Sequence, residues 1–138
     1  MRVIGLAAVI ALLAGCSLLG GATYKSSDFT GQWKHVSGSH SSSLTLNSDG
    51  TFVVASVPLQ VFPVNGQSPE AKPLDWSTTT TLHGSWEFRR DTEDIYLDIT
   101  EGNRGAILLI RASGSTMRLS ESLGDPDALI FFDFDRVR

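Results

Sequence analysis

From Thr30 to its end the chain repeats with a period of two residues, the spacing of strands that bury one face and wet the other. The clearest run is Trp76 to Phe88, where Leu82, Gly84, Trp86 and Phe88 fall on one face and Thr81, His83, Ser85 and Glu87 on the other. Turn chemistry interrupts this alternation at short intervals: Asn47-Ser48-Asp49-Gly50, the charged stretch Arg89 to Asp94, Gly102 to Gly105, Ser113-Gly114-Ser115 and Gly124-Asp125-Pro126-Asp127. An Asp-Gly pair between alternating segments is a strong hairpin signal, because glycine takes positive φ without steric cost. After Cys16 no stretch carries the 3.6-residue helical period. The fold class is therefore all-β, a small antiparallel meander of about eight strands, and closure into a barrel hides the edges that an open meander would expose.

One segment breaks the pattern. Four of the five prolines lie between residues 58 and 75, and proline cannot donate to a strand ladder. Long loops in compact domains are functional or disordered. This one carries Leu59, Val61, Phe62 and Val64, so it is expected to pack back over the barrel mouth. Val61, Phe62 and the nearby Trp76 are the candidate contact residues for a ligand or partner. Large side chains expected inside the barrel are Trp33, Phe52, Trp76, Leu82, Trp86, Phe88, Phe132 and Phe134. Eight strands enclose room for side chains or one small ligand, and residues this bulky favour filling over a roomy cavity.

The N-terminus has a different character. Arg2, the apolar run Val3 to Leu13 and Leu13-Ala14-Gly15-Cys16 form a charged start, a short hydrophobic core and a small-residue cleavage site. The apolar run falls well short of the roughly 20 residues that a spanning helix needs. The segment resembles a bacterial lipoprotein signal. That resemblance implies cleavage between Gly15 and Cys16 and attachment of diacylglycerol to the Cys16 sulfur. Cys16 is the one cysteine of the chain, so no intramolecular disulfide competes for it, and an odd thiol in an exported protein calls for a use. Stable anchoring takes at least two lipid chains, which a diacylglyceryl group supplies. The organisation expected is a leader over 1–15, the lipidated cysteine and a flexible tether over 16–28, and one barrel domain over 29–138. The location expected is the outer face of the cell membrane, or the outer membrane of a two-membrane cell, which Ser17 permits.

The chain carries 11 Lys and Arg against 15 Asp and Glu, and loss of Arg2 with the leader makes it more acidic still. A mildly acidic surface is poor for nucleic acid, where neutralising phosphate drives binding.

Gly31-Gln32-Trp33 opens the first strand, and Gly84-Ser85-Trp86 repeats the spacing mid-chain. Gly-x-Trp at the start of an eight-stranded barrel resembles the lipocalin and wider calycin pattern. The resemblance implies that Trp33 plugs the barrel floor and that an arginine near the end of the last strand, here Arg136, lies over it. Trp33, Trp86 and Arg136 are thus expected to be structural. The domain is shorter than a lipocalin and shows no helix before its last strand. It is also similar to a group of small uncharacterised bacterial lipoproteins. They share Gly-x-Trp, Asp-Gly-Thr-Phe (Asp49 to Phe52), a second Gly-x-Trp and Gly-Asp-Pro-Asp (Gly124 to Asp127) in that order. That likeness implies a fold and an address, and no reaction.

Candidate chemistry is sparse. His35, His40 and His83 are the three histidines, without the clustered ligand spacing of a metal site. Asp125 and Asp127 suit a rigid turn at least as well as a Ca²⁺ site. Asp133 and Asp135 read as a wet strand face. Ser37 to Ser43 lacks the Gly-x-Ser-x-Gly elbow of a nucleophile and reads as a flexible loop. No catalytic constellation, cofactor site or metal site is expected. The chain reads as a monomeric binding or interaction module of the cell envelope; the alternative is a carrier or sensor of a small apolar ligand held in the barrel. Cys16→Ala is expected to abolish incorporation of labelled fatty acid and to move the exported protein from the membrane to the soluble fraction, as read by fractionation and intact mass.

Overall fold

The computed structural model describes residues 23–63, 69 and 73–138. Eight strands run in sequence order around a closed antiparallel barrel: β1 (Gly31–Ser37), β2 (His40–Leu46), β3 (Thr51–Pro58), β4 (Thr79–Arg89), β5 (Asp94–Ile99), β6 (Arg104–Ser113), β7 (Thr116–Ser122) and β8 (Phe131–Arg136). Each strand pairs with the next, and β8 returns to β1. The alternation fixes which side chains point inward. Trp33, Leu44, Leu46, Phe52, Val54, Leu82, Leu97, Leu119, Phe132 and Phe134 are all buried, and they come from facing positions around the ring. Single-turn 3-10 segments at Ser26–Asp28 and Pro126–Ala128 are the helical exceptions among the described residues.

The two ends of the barrel differ. The floor is the end where β1 begins and β8 finishes. Here Trp33 is fully buried, its indole N–H donating to the Phe29 carbonyl at 2.9 Å. The Arg136 guanidinium lies 5.1 Å from the Trp33 ring and donates to the carbonyls of Thr30, at 2.7 Å, and Asp28. Gly31 is required for this arrangement. Its φ is +124°, and a Cβ there would stand 3.3 Å from an Arg136 nitrogen. Trp86 sits at the same end, donating from Nε1 to the Asn47 carbonyl at 2.9 Å. Trp33, Trp86 and Arg136 therefore occupy the positions expected of them.

At the end of the segment expected to be a tether, Tyr24 is half-buried, and Ser26–Asp28 form an exposed 3-10 turn. Tyr24 meets Phe29 at 5.5 Å and Phe88 at 6.5 Å between ring centroids, and the Lys25 N–H donates to the Asp28 carboxylate at 2.8 Å. The apolar tyrosine ring covers the rim of the floor. Cys16 and the leader lie outside the described residues.

Two other expectations are corrected. The serine run is strand and not flexible loop: His40–Ser43 pair with Ser37–Val36–His35–Lys34 in register, leaving a tight turn at Gly38, whose φ is +60°. Ser42 is buried because its hydroxyl donates to the Ser56 carbonyl at 2.8 Å. β4 begins at Thr79, so Trp76 stands in the preceding turn and not on the inner strand face. That turn is held by Asp75, whose carboxylate accepts from the Ser77 N–H and hydroxyl at 2.9 and 2.5 Å.

Gly84, in the second Gly-x-Trp, serves a different need from Gly31. A Cβ on it would stand 1.9 Å from the Asp98 carbonyl oxygen and 2.8 Å from the Phe52 ring. β4 and β5 approach closely there because the position carries no side chain. Gly84→Ala is expected to cost about 3 kcal/mol by overpacking, read as a lowered denaturation midpoint with an unchanged transition slope.

Candidate functional site

The roof end gathers the residues singled out from the sequence. The chain leaves β3 at Pro58, and Val61 and Phe62 turn inward, at 0% and 1% exposure. The segment is expected to pack back over the barrel mouth, and these two side chains do so as part of the core. An apolar pair in a proline-rich segment gains more by filling the barrel end than by facing water. The two limbs of the segment are joined by Gln60, which donates to the Pro73 carbonyl at 3.4 Å and accepts from the Asp75 N–H at 2.9 Å. Farther along, Pro69 accepts a hydrogen bond from the Gly124 N–H at 2.9 Å, which ties the segment to the corner between β7 and β8. Val64 lies outside the described residues.

Trp76 is half-buried and is the centre of a ring cluster. The His40 imidazole stacks on it at 5.0 Å and 7°, and the His35 imidazole at 5.9 Å and 17°. His35 also stacks on Phe132 at 3.7 Å. His35 Nδ1 lies 2.8 Å from the Asp133 carbonyl. A carbonyl oxygen can only accept, so Nδ1 carries the hydrogen of this bond. The side chain thus bridges β1 and β8 above their two ladder pairs, Trp33–Arg136 and Lys34–Asp135. His40 is exposed beside it. Together Trp76 and His40 give the roof a flat aromatic surface open to solvent.

Glu121 was not anticipated. It follows Leu119 on the inward phase of β7, pairs with Phe132, and is only 7% exposed. Its Oε2 has no hydrogen-bond partner. Burial pushes its carboxyl up to about 8, against the opposing pull of the Arg104 charge. Arg104 lies on the inward phase of β6. The signal was present in the spacing: Met117, Leu119, Glu121 and Leu123 alternate, and one of the four is a carboxylic acid.

His83 holds a second overlooked partner. Glu101 accepts from the His83 backbone N–H at 2.8 Å and meets its Nδ1 at 2.9 Å. Burial works to raise this carboxyl, but the two hydrogen bonds outweigh it and hold Glu101 below the usual carboxylate range. Both side chains are open to solvent, at 57% and 38% exposure, whereas acid–base chemistry relies on environments that push two groups apart. His83 borders a shallow outer groove of about 650 Å³ over Gly84, shared with Thr51, Val53, Ser85 and Asp98.

The remaining candidates are structural. The Asp125 carboxylate accepts from the Asp127 N–H at 2.9 Å, an Asx turn. Asp133 accepts from Ser120 at 2.5 Å and from Arg111 at 3.1 Å, and Asp135 from Arg118 at 2.7 Å, on the outer face of β6 to β8. Among the described residues, no group of three or more His, Cys, Asp and Glu is placed to hold a metal ion, and no helix is long and apolar enough to cross a membrane.

Comparison with models of protein families, with characterised proteins and with solved structures finds no match to this chain.

The two roof aromatics should behave differently on truncation. Phe62→Ala is expected to lower stability by about 3–5 kcal/mol, and Trp76→Ala by about 1 kcal/mol, the worth of its ring contacts. Urea denaturation of both variants checks the contrast.

Proposed function

We propose that this protein is an exported, lipid-anchored binding module of the cell envelope that works through the outer surface of its roof end. The observation that carries the reading is the filled interior. Phe29, Trp33, Phe52, Phe62, Phe132 and Phe134 are each exposed by 1% or less and occupy the barrel from floor to roof. A barrel packed in this way has its outer surface left for recognition. The aromatic pair Trp76 and His40 is a flat, partly wetted surface of the kind that anchors interfaces.

The direction of the chain supports the same reading. Tyr24, near the start of the described residues, packs against Phe29 and Phe88 at the floor. Cys16, acylated at the start of the mature chain, would hold the floor toward the lipid and turn the roof away from it. The lipoprotein assignment rests on Arg2, the apolar run and Leu13-Ala14-Gly15-Cys16, and the resemblance to small calycin-like lipoproteins agrees with it.

Photo-crosslinking in the producing cells tests this reading. A crosslinkable residue at His40 is expected to capture a discrete envelope protein, and one at Ser48 on the floor is not. Native mass spectrometry of the gently extracted lipidated protein supplies the contrary outcome. A small apolar molecule retained at one per chain, with no crosslinked protein, would support the carrier reading instead.

A further inference from the structure

The groove on the outer wall is separate from the roof surface, and its chemistry is distinct. It lies across β3, β4 and β5, where cross-strand pairing sets Thr51, Ser85 and Asp98 side by side. The next row carries His83 and Thr100, whose backbones are joined by a 2.9 Å hydrogen bond from the Thr100 N–H to the His83 carbonyl. Side chains directly opposite one another in such rows stand about 5 Å apart. Ser85, Asp98, His83 and Thr100 therefore share one small region of the wall. Gly84 keeps that region close-set, because β4 and β5 approach there too nearly for a Cβ.

The polar groups of the groove are largely unspent. Asp98 is exposed, and among the described residues its carboxylate makes no ion pair or hydrogen bond. The Ser85 and Thr100 hydroxyls likewise make none, whereas the Thr51 hydroxyl is taken by Asp49 and Asn47. His83 is engaged at one ring nitrogen only. The turn between β5 and β6 brings Glu101 to it from outside the groove lining. The Glu101 carboxylate accepts from the His83 backbone N–H at 2.8 Å and meets Nδ1 at 2.9 Å. Against the pull of burial, these two hydrogen bonds hold Glu101 ionised at neutral pH. A carboxylate can only accept, so Nδ1 carries the hydrogen, and Nε2 of the neutral ring is left as an acceptor. Glu101 is thus a positioning residue that acts through His83.

No lysine or arginine lines the groove, and its one unpaired charge is negative. An anion is repelled there. An apolar ligand would strip water from the Asp98 carboxylate without replacing its hydrogen bonds. We propose that the groove is a binding site for a primary ammonium group, with Asp98 as the counter-ion and with His83 Nε2 and the Ser85 or Thr100 hydroxyl as the further acceptors. An ammonium has three N–H donors and no acceptor, which matches one carboxylate and two neutral acceptors on adjacent strands. Hydrogen bonds assisted by charge are about twice as strong as neutral ones, so Asp98 dominates the site. The ligand is a short alkylamine, free or borne by a lysine side chain of a partner.

Amide chemical shifts of the isotope-labelled full chain, titrated with 1,4-diaminobutane at an ionic strength that screens long-range attraction, test the site. Saturable one-to-one shifts are expected over residues 83–85 and 98–100, with binding about tenfold weaker in Asp98→Asn. Asp91→Asn removes the same charge from the exposed turn after β4 and is expected to bind as the wild type does. 1,4-Butanediol, of the same length without charge, and tetramethylammonium, charged without an N–H donor, are expected to leave these residues unshifted. N-acetyl-lysinamide distinguishes the sources. Binding at least as tight as that of the diamine assigns the site to a lysine side chain, and weaker binding assigns it to a free amine. Absence of saturable shifts at these residues with both amines overturns the proposal. So does an equal loss in Asp98→Asn and Asp91→Asn, or equal binding of the diol or of tetramethylammonium.

Discussion

The first and last strands of this barrel meet through two residue pairs, Trp33–Arg136 and Lys34–Asp135, and a further backbone hydrogen bond from the Val137 N–H to the Gln32 carbonyl at 2.9 Å; side chains add to this short closure. Arg136 spans the joint. Its guanidinium lies over the Trp33 ring and donates to the Asp28 and Thr30 carbonyls, so one side chain ties β8 to β1 and to the segment before it. A cation over an indole contributes about 0.5–2 kcal/mol, and charge-assisted hydrogen bonds are stronger than neutral ones. Above this joint the His35 ring takes over, bonding the Asp133 carbonyl at 2.8 Å. A meander has two edges, and here both are closed with few ladder bonds.

This arrangement makes the two ends unequal. The floor is knit by Trp33, Trp86, Arg136 and the Tyr24–Phe29–Phe88 rings. Its polar groups point at backbone carbonyls that need donors. The roof is closed by a segment packed through Val61 and Phe62 and, among the described residues, fastened by hydrogen bonds at Pro69, Pro73 and Asp75 and from the Leu59 N–H to the Thr78 carbonyl. It also shelters a carboxyl with an unmet oxygen. The roof therefore combines a partly exposed aromatic surface with an apolar plug made by Val61 and Phe62.

Much of the fold was legible because strand period and turn chemistry are local. Asn47 to Gly50 announced a hairpin, and the Asn47 carbonyl does accept from the Gly50 N–H at 3.1 Å. The inward phases of β4 and β8 were readable from Leu82, Trp86, Phe132 and Phe134 alone. The failures have physical causes of the opposite kind. Ser41 to Ser43 have weak strand propensity, and it is pairing with β1 that makes them strand. Val61 and Phe62 were legible as apolar residues of a segment that packs back over the barrel, but the depth of their burial depends on a barrel end that only the tertiary fold supplies. Trp76 falls on an inward phase in sequence, but Asp75 and Ser77 hold it in a turn. Glu121 shares the inward spacing of Met117, Leu119 and Leu123, but a carboxyl at that spacing is shown to be buried only by the closed barrel.

The closure between β1 and β8 is the claim on which the filled interior, the floor and the roof all depend. Solution NMR of the unlipidated domain tests it most directly, through backbone contacts between Trp33 and Arg136 and between Lys34 and Asp135, together with slow exchange of the Trp33 indole hydrogen bonded to Phe29. A closed barrel predicts both cross-strand contacts and an indole hydrogen protected from solvent. An indole that exchanges at the rate of free tryptophan, with no contact between the two strands, would contradict it.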